Sequence, residues 1–136
     1  MSAEQNKQSI KRLFNEGMNQ QNFSVVEEVI DDIYVNHGFP DAKPGVEGLK
    51  EVIQKFTSSF PDMQITQEEV IAEGEIVATR GKWNGTHTGD FMGMPPTGKQ
   101  VEVTYADFWK FKNGKAVENW VQMDIVGLMH QLGAMK

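Results

Sequence analysis

Two aspartates and three histidines carry most of the chemistry open to this chain. Asp124 stands two residues past Gln122 and four past Trp120, and Asp107 stands midway between Tyr105 and Trp109. If these runs are strands, each set shares one face, because side chains alternate along a strand. A carboxylate among apolar neighbours is disfavoured in its charged form. Its pKa then rises toward the range in which it can take a proton from an activated CH₂ and return it to an alkoxide. Asp124 is therefore a candidate acid/base. It also stands just before the apolar run Val126 to Leu132, where an aspartate is suited to cap a helix, and both readings stand at this level. Asp107 could orient substrate or be the satisfied partner of a backbone amide or of Arg80.

His37, just before Gly38, could donate to a substrate carbonyl and stabilise an enolate, or pin a helix–loop junction. His87 could line a pocket entrance or fix a turn through Thr86 and Thr88, and His130 packs or faces solvent. The three lack the short or i, i+4 spacing of zinc or non-haem iron ligands, so no metal site is expected. With no cysteine in the chain, disulfides, thiolate nucleophiles and iron–sulfur clusters are excluded. Arg80 could hold a substrate carboxylate or pair with Glu102 or Asp107. Trp83, Trp109, Trp120, Tyr105, Phe91, Met92 and Met94 would suit a planar apolar ligand, or form plain core. No glycine-rich phosphate cradle of the GK[ST] or GxGxxG type is present.

The 136 residues, 39% hydrophobic and 24% charged, fit one globular domain spanning 1–136. The net charge of −6, with 13 basic residues scattered among 19 acidic ones, offers no stripe for a phosphate backbone, so nucleic-acid binding is not expected. Met1 to Gln8 is polar and no apolar run approaches a signal core or membrane span, which predicts a soluble, cytoplasmic chain without a membrane partner.

The elements that must position these residues begin with helices. Ser2 and Gln5 predict a capping box for a helix buried through Ile10, Leu13, Phe14 and Met18. Ser24 with Glu27 repeats that pattern before Val25, Val26, Val29 and Ile30. Tyr34 to His37 leads into a turn-rich stretch with Gly38, Pro40, Pro44 and Gly45. A third helix carries Leu49, Val52, Ile53, Phe56 and Phe60 and stops before Pro61. From there the pattern is strand: Met63 to Ala72, Ile76 to Trp83, Gln100 to Phe111 and Lys115 to Ile125, with hairpin turns at Glu73-Gly74 and Asn113-Gly114. Asn84 to Gly98, rich in glycine and proline, is an irregular loop. Helices followed by an antiparallel meander predict an α+β domain in which three helices cover one face of a sheet.

If Asn113-Gly114 is a type I′ turn in an unbroken ladder, Lys112 faces Lys115. Trp109 then faces Glu118, Asp107 faces Trp120, Tyr105 faces Gln122, and Val103 faces Asp124, all on one face of the sheet. That face is the more apolar, so the helices should cover it. Carboxylates on a covered face cost several kcal/mol unless paired, protonated or beside a pocket, so a cavity is expected there. A bulge would exchange the faces. In the unbroken ladder Phe108, Val121 and Met123 form the outer face and a homodimer contact.

Several of these segments together resemble the SnoaL-like polyketide cyclase, or ester cyclase, family. They are Phe60-Pro61-Asp62, the loop Gly85 to Lys99, Asn113-Gly114-Lys115 with Glu118, Trp120 and Asp124, and Gly127-Leu128-Met129 with Gln131-Leu132-Gly133. The resemblance covers nearly the whole chain. It implies the cone-shaped α+β barrel of the nuclear-transport-factor-2-like superfamily, a cystatin-like curved sheet, with a pocket between sheet and helices and a homodimer or homotetramer. It also implies intramolecular aldol cyclisation with no metal or cofactor, Asp124 matching the acid/base aspartate. His37 would then assist catalysis. Asp107, Gln122, Trp120, Tyr105, Trp109, Arg80, His87 and Phe91 would contact a small apolar or aromatic ligand. Isomerases, hydratases and ligand binders without chemistry share the fold.

Overall fold

Ser2 and Gln5 form the expected capping box at the start of α1 (Ala3–Arg12) in a computed structural model that describes residues 2–134. The Ser2 hydroxyl accepts from the Gln5 amide, and the Gln5 side chain accepts from the Ser2 amide. The helix continues as a wider π turn over Leu13–Met18, which turns Leu13 and Phe14 into the core. In α2 (Phe23–Val29) Asn22 rather than Ser24 occupies the cap position, and the Ser24 hydroxyl donates to the Asn22 side chain.

Strand β1 (Ile30–Asn36) follows α2 without a linker, where the apolar spacing through Ile30 reads as continuing helix. It adds to the sheet in parallel with β5, pairing Val35 with Glu118 and Asn36 with Asn119. A parallel partner so far along the chain leaves no local pattern to read. The third helix, α3 (Gly45–Ser59), ends at Phe60 before Pro61 as the sequence predicts, with Leu49, Ile53 and Phe56 buried.

The meander comprises β2 (Gln64–Glu73), β3 (Ile76–Thr86), β4 (Gln100–Lys112) and β5 (Lys115–Met123), followed by α4 (Ile125–Leu132). The sheet order is β1-β5-β4-β3-β2. The expected α+β architecture is present: three N-terminal helices cover a curved sheet whose two edges stay apart, and a fourth helix follows it. Where β5 ends, α4 extends its role: the Gln131 amide exchanges two 2.8 Å hydrogen bonds with the backbone of Glu102 on β4.

The register of the β4–β5 hairpin corrects the expected pairing. Asn113 and Gly114 both have positive φ, at 52° and 82°, as a type I′ turn requires. Lys112 pairs with Lys115 and Phe111 with Ala116 as predicted. Lys110 then pairs with Glu118, so Val117 is an extra residue. Beyond this bulge the β5 faces are exchanged. Trp109 faces Asn119, Phe108 faces Trp120, Asp107 faces Val121 and Tyr105 faces Met123. The helix-covered face therefore carries Asp107, Tyr105 and Trp109 from β4 as expected, but Asn119, Val121 and Met123 from β5.

Candidate active site

Tyr105, Asp107 and Trp109 alternate inward along β4, under the π turn after α1 and beside α3. These elements enclose a cavity of about 90 Å³, room for several waters or one small flat molecule. Phe14 and Met18 enter it from the π turn, Ile53 and Phe56 from α3, and Trp83 from β3. Half-buried Met18, Phe39, Met63 and Met123 make one side of the wall, and thioether side chains repack readily around a ligand.

Asp107 is the one carboxylate on this wall among the described residues, with 4% of its surface exposed. Burial pushes its carboxyl up to about 7, against the opposing pull of the Thr79 hydroxyl and the Trp109 indole. The Thr79 hydroxyl lies across the ladder and donates to it at 2.5 Å. The Trp109 Nε1–H lies near enough to favour the charged form but makes no hydrogen bond of normal geometry. Tyr105 Oη and Trp83 Nε1 are also buried without a partner. Burial first, then the charge of Asp107, raises the hydroxyl pKa of Tyr34, which reaches Asn119 Oδ1 at 3.4 Å. Asn119 in turn donates to the Phe108 carbonyl at 3.0 Å. A carboxyl poised near neutrality in an apolar cavity can exchange a proton with a bound carbon acid.

The structure places the other candidates elsewhere. Asp124 is exposed and caps α4, accepting from the Gly127 amide at 2.8 Å. It does not share the covered face, because the bulge at Val117 turns Gln122 and Trp120 outward along β5. With Arg80 and Gln122 it borders a shallow open depression on the outer side. Arg80 pairs with Glu69, and at 4.0 Å with Glu68, rather than with Glu102 or Asp107. His37 is also outside, stacked on Trp120 at 5.0 Å and 3.1 Å from Glu118. His87 is fully buried and holds the β3–β4 loop through Thr97, not through its neighbours Thr86 and Thr88. The Thr97 amide donates to His87 Nδ1 at 3.2 Å. Phe91 packs between Phe56 and Phe60.

Of the residues singled out from sequence, Asp107, Tyr105, Trp109 and Trp83 thus come together at the cavity. Thr79 and Asn119 were missed. Thr79 follows the same alternation as Val77 and Trp83, which marks it as inward-facing, but Asn119 was hidden by the bulge. Among the described residues, no three His, Asp or Glu side chains converge as metal ligands would. Among the described residues, no helix is long and apolar enough to cross a membrane.

Comparison with known proteins places this geometry. The model of the SnoaL-like polyketide cyclases matches residues 8–132. IdmH from Streptomyces antibioticus, a proposed polyketide cyclase, is 34% identical, with 95% of this chain and 99% of that one covered and a TM-score of 0.82. TsrD from Streptomyces laurentii superposes with a TM-score of 0.91 at 23% identity, over 99% of both chains. AclR from Streptomyces galilaeus, a proposed hydroxylase, does so at 0.87 and 24%, over 99% of this chain and 100% of that one. At those identities the last two show the shared fold. No curated protein matches the sequence.

Proposed function

This chain belongs to the SnoaL-like polyketide cyclase family, and on that premise we propose that it is a cofactor-independent proton-transfer enzyme. It acts on a small apolar carbonyl compound, by intramolecular aldol cyclisation or a related step, with Asp107 as acid/base. The observation that carries the reading is the Asp107 carboxyl, buried on an apolar cavity wall and raised to about 7. The acid/base role thus moves from Asp124, which caps a helix, to Asp107. His37, Gln122, Trp120 and Arg80 face away from the cavity and take no part. The reading treats the chain as one cytoplasmic domain that assembles as a homodimer.

Hydrogen–deuterium exchange at the activated carbon of a β-keto ester such as ethyl benzoylacetate tests it. Loss of the general base costs about 10²–10⁴-fold, so D107N should abolish exchange while D124N exchanges at the wild-type rate. Retention of exchange in D107N refutes the assignment. One observation favours a second reading, a ligand binder without chemistry: the Thr79 hydroxyl already satisfies Asp107, as it would a structural carboxyl. Binding of the ester with no exchange in the wild type would establish that alternative.

A further inference from the structure

Three residues that line the cavity each carry a buried donor that makes no hydrogen bond of normal geometry within the protein: Trp83 Nε1, Tyr105 Oη and Trp109 Nε1. Their residues are 1%, 7% and 1% exposed. Buried polar groups are almost always hydrogen-bonded, so three such donors on one wall call for an explanation. Trp83 sits on β3 among Phe56 and Phe60. The other two flank Asp107, at the alternate positions of β4 that share its face. Their rings are clamped. Tyr105 stacks on Phe14 at 5.9 Å, Trp109 meets the same ring edge-on at 6.0 Å, and Tyr34 stacks on Trp109 at 6.2 Å. Neither side chain can turn to find an acceptor elsewhere without breaking that packing.

Among the described residues, no lysine, arginine or histidine lines the cavity. Negative charge that develops on a bound molecule beside Asp107 therefore meets neutral donors alone. We propose that Tyr105 and Trp109 donate to the substrate's carbonyl oxygen while Asp107 takes the proton from the adjacent carbon, and that the site selects uncharged carbonyl compounds. The proposal rests on the reading of Asp107 as the base. In the step, the C–H bond breaks and the proton passes to the carboxylate. The C–H electron pair becomes the C=C bond of the enolate, and the carbonyl π pair moves onto the oxygen held by the donors. Attack of the enolate carbon on a second carbonyl of the same molecule forms the new C–C bond, and Asp107 returns its proton to the resulting alkoxide. The balance needs no other reactant. A carboxylate or phosphate on the ligand would find no counter-ion on this wall and would repel Asp107. Burial holds the Tyr105 hydroxyl up at about 12, so it keeps its proton throughout the neutral range and remains a donor.

Y105F and W109F each remove one donor. Two measurements test the pair: exchange on ethyl benzoylacetate, and binding of a graded series of phenols, whose ring hydroxyl mimics an enolate. Wild type should bind the phenols more tightly as their acidity rises. Each variant should lose about tenfold in that binding and about 10²-fold in exchange, the effect typical of one oxyanion donor. The melting temperature of Y105F should change little, because its hydroxyl makes no hydrogen bond of normal geometry within the protein. Failure of the wild type to bind the phenols overturns the proposal, as does wild-type exchange in both variants. A lower melting temperature in Y105F with unchanged exchange does so as well, since that is the mark of a structural hydroxyl. D107N inactive with Y105F and W109F fully active would sink the donors and leave the base. D107N active would sink the base, and phenol binding would still decide whether the donors hold an oxygen.

Discussion

With its carboxyl near the midpoint of titration at neutral pH, Asp107 costs the protein stability in the state that catalysis needs. Its pKa lies at about 7 in the folded chain against 3.8 ordinarily. Below pH 3.8 both folded and unfolded chains hold the proton and no penalty exists. Between the two values the unfolded chain has released its proton while the folded one keeps it, so stability falls as pH rises. The fall levels off above about 7 and amounts to about 4 kcal/mol. The D107N variant has no such titration. Urea unfolding at pH 4 and pH 8 should therefore show the wild type losing stability relative to D107N by roughly that amount, and parallel curves would refute the raised pKa. The same ionisation predicts proton-exchange activity that rises with pH through about 7. Asp124 belongs to a different balance. Its carboxylate accepts the Gly127 amide at the start of α4, and removing such a cap costs about 1 kcal/mol. D124A should melt about 3–5 °C lower while D124N, which retains an acceptor, stays close to wild type. A calorimetric scan checks both.

The elements that bring Asp107 to the cavity show which physical signals are local. The Asn113-Gly114 turn, the α3 stripe ending at Pro61 and the Ser2–Gln5 box rest on residues within a few positions of one another, and each was legible from the chain alone. The bulge was not. Ala116 and Val117 are both buried and apolar, and nothing in their side chains marks one of them as surplus to the ladder. Its consequence reaches every later residue of β5, which is why Asp124 leaves the covered face while Asp107, on β4, stays on it. Strand β1 was missed for the opposite reason. Val25, Val26, Val29 and Ile30 keep helical spacing, and the partner that makes Ile30 a strand residue is Ala116. Close approach of α3 to the preceding segment is a third feature that local pattern hides. A Cβ at Gly48 would lie 1.6 Å from the Lys43 carbonyl oxygen, a backbone atom that cannot give way without moving the helix. Gly48→Ala should cost about 3 kcal/mol and shift the wall that Ile53 and Phe56 present to the cavity. Chemical denaturation together with ligand binding would register both effects, and a variant of unchanged stability would contradict the packing described.

At the scale of the molecule, the main exposed apolar surface is the outer face of the sheet. Phe108 and Trp120 stand opposite each other there, 53% and 38% exposed, with Val35 and Ile71 at 43% and 61%. The bulge puts Trp120 in this position, where an unbroken ladder had put Val121 and Met123. Several charged side chains of the face pair locally: Arg80 with Glu69 and Lys82 with Glu102, while the His37 ring lies 3.1 Å from Glu118. A surface whose charges pair locally at several points and whose centre is apolar is suited to meet a copy of itself about a two-fold axis. It is poorly suited to a strongly charged partner. The sheet edge at β2 discourages the alternative of edge-to-edge growth, since a bulge between Gln67 and Glu69 distorts it and Glu68 and Glu69 charge it. Light scattering at micromolar concentration should accordingly give twice the 15.3 kDa chain mass. F108E combined with W120E should give the monomer, because two buried carboxylates would face each other across the axis. Both substitutions lie on the side of the sheet away from Asp107, so the double variant should still exchange protons if the cavity is complete within one chain. A wild-type protein that scatters as a monomer would remove the outer face from the account, and a dissociated variant without activity would show that the second copy supports the cavity through the sheet.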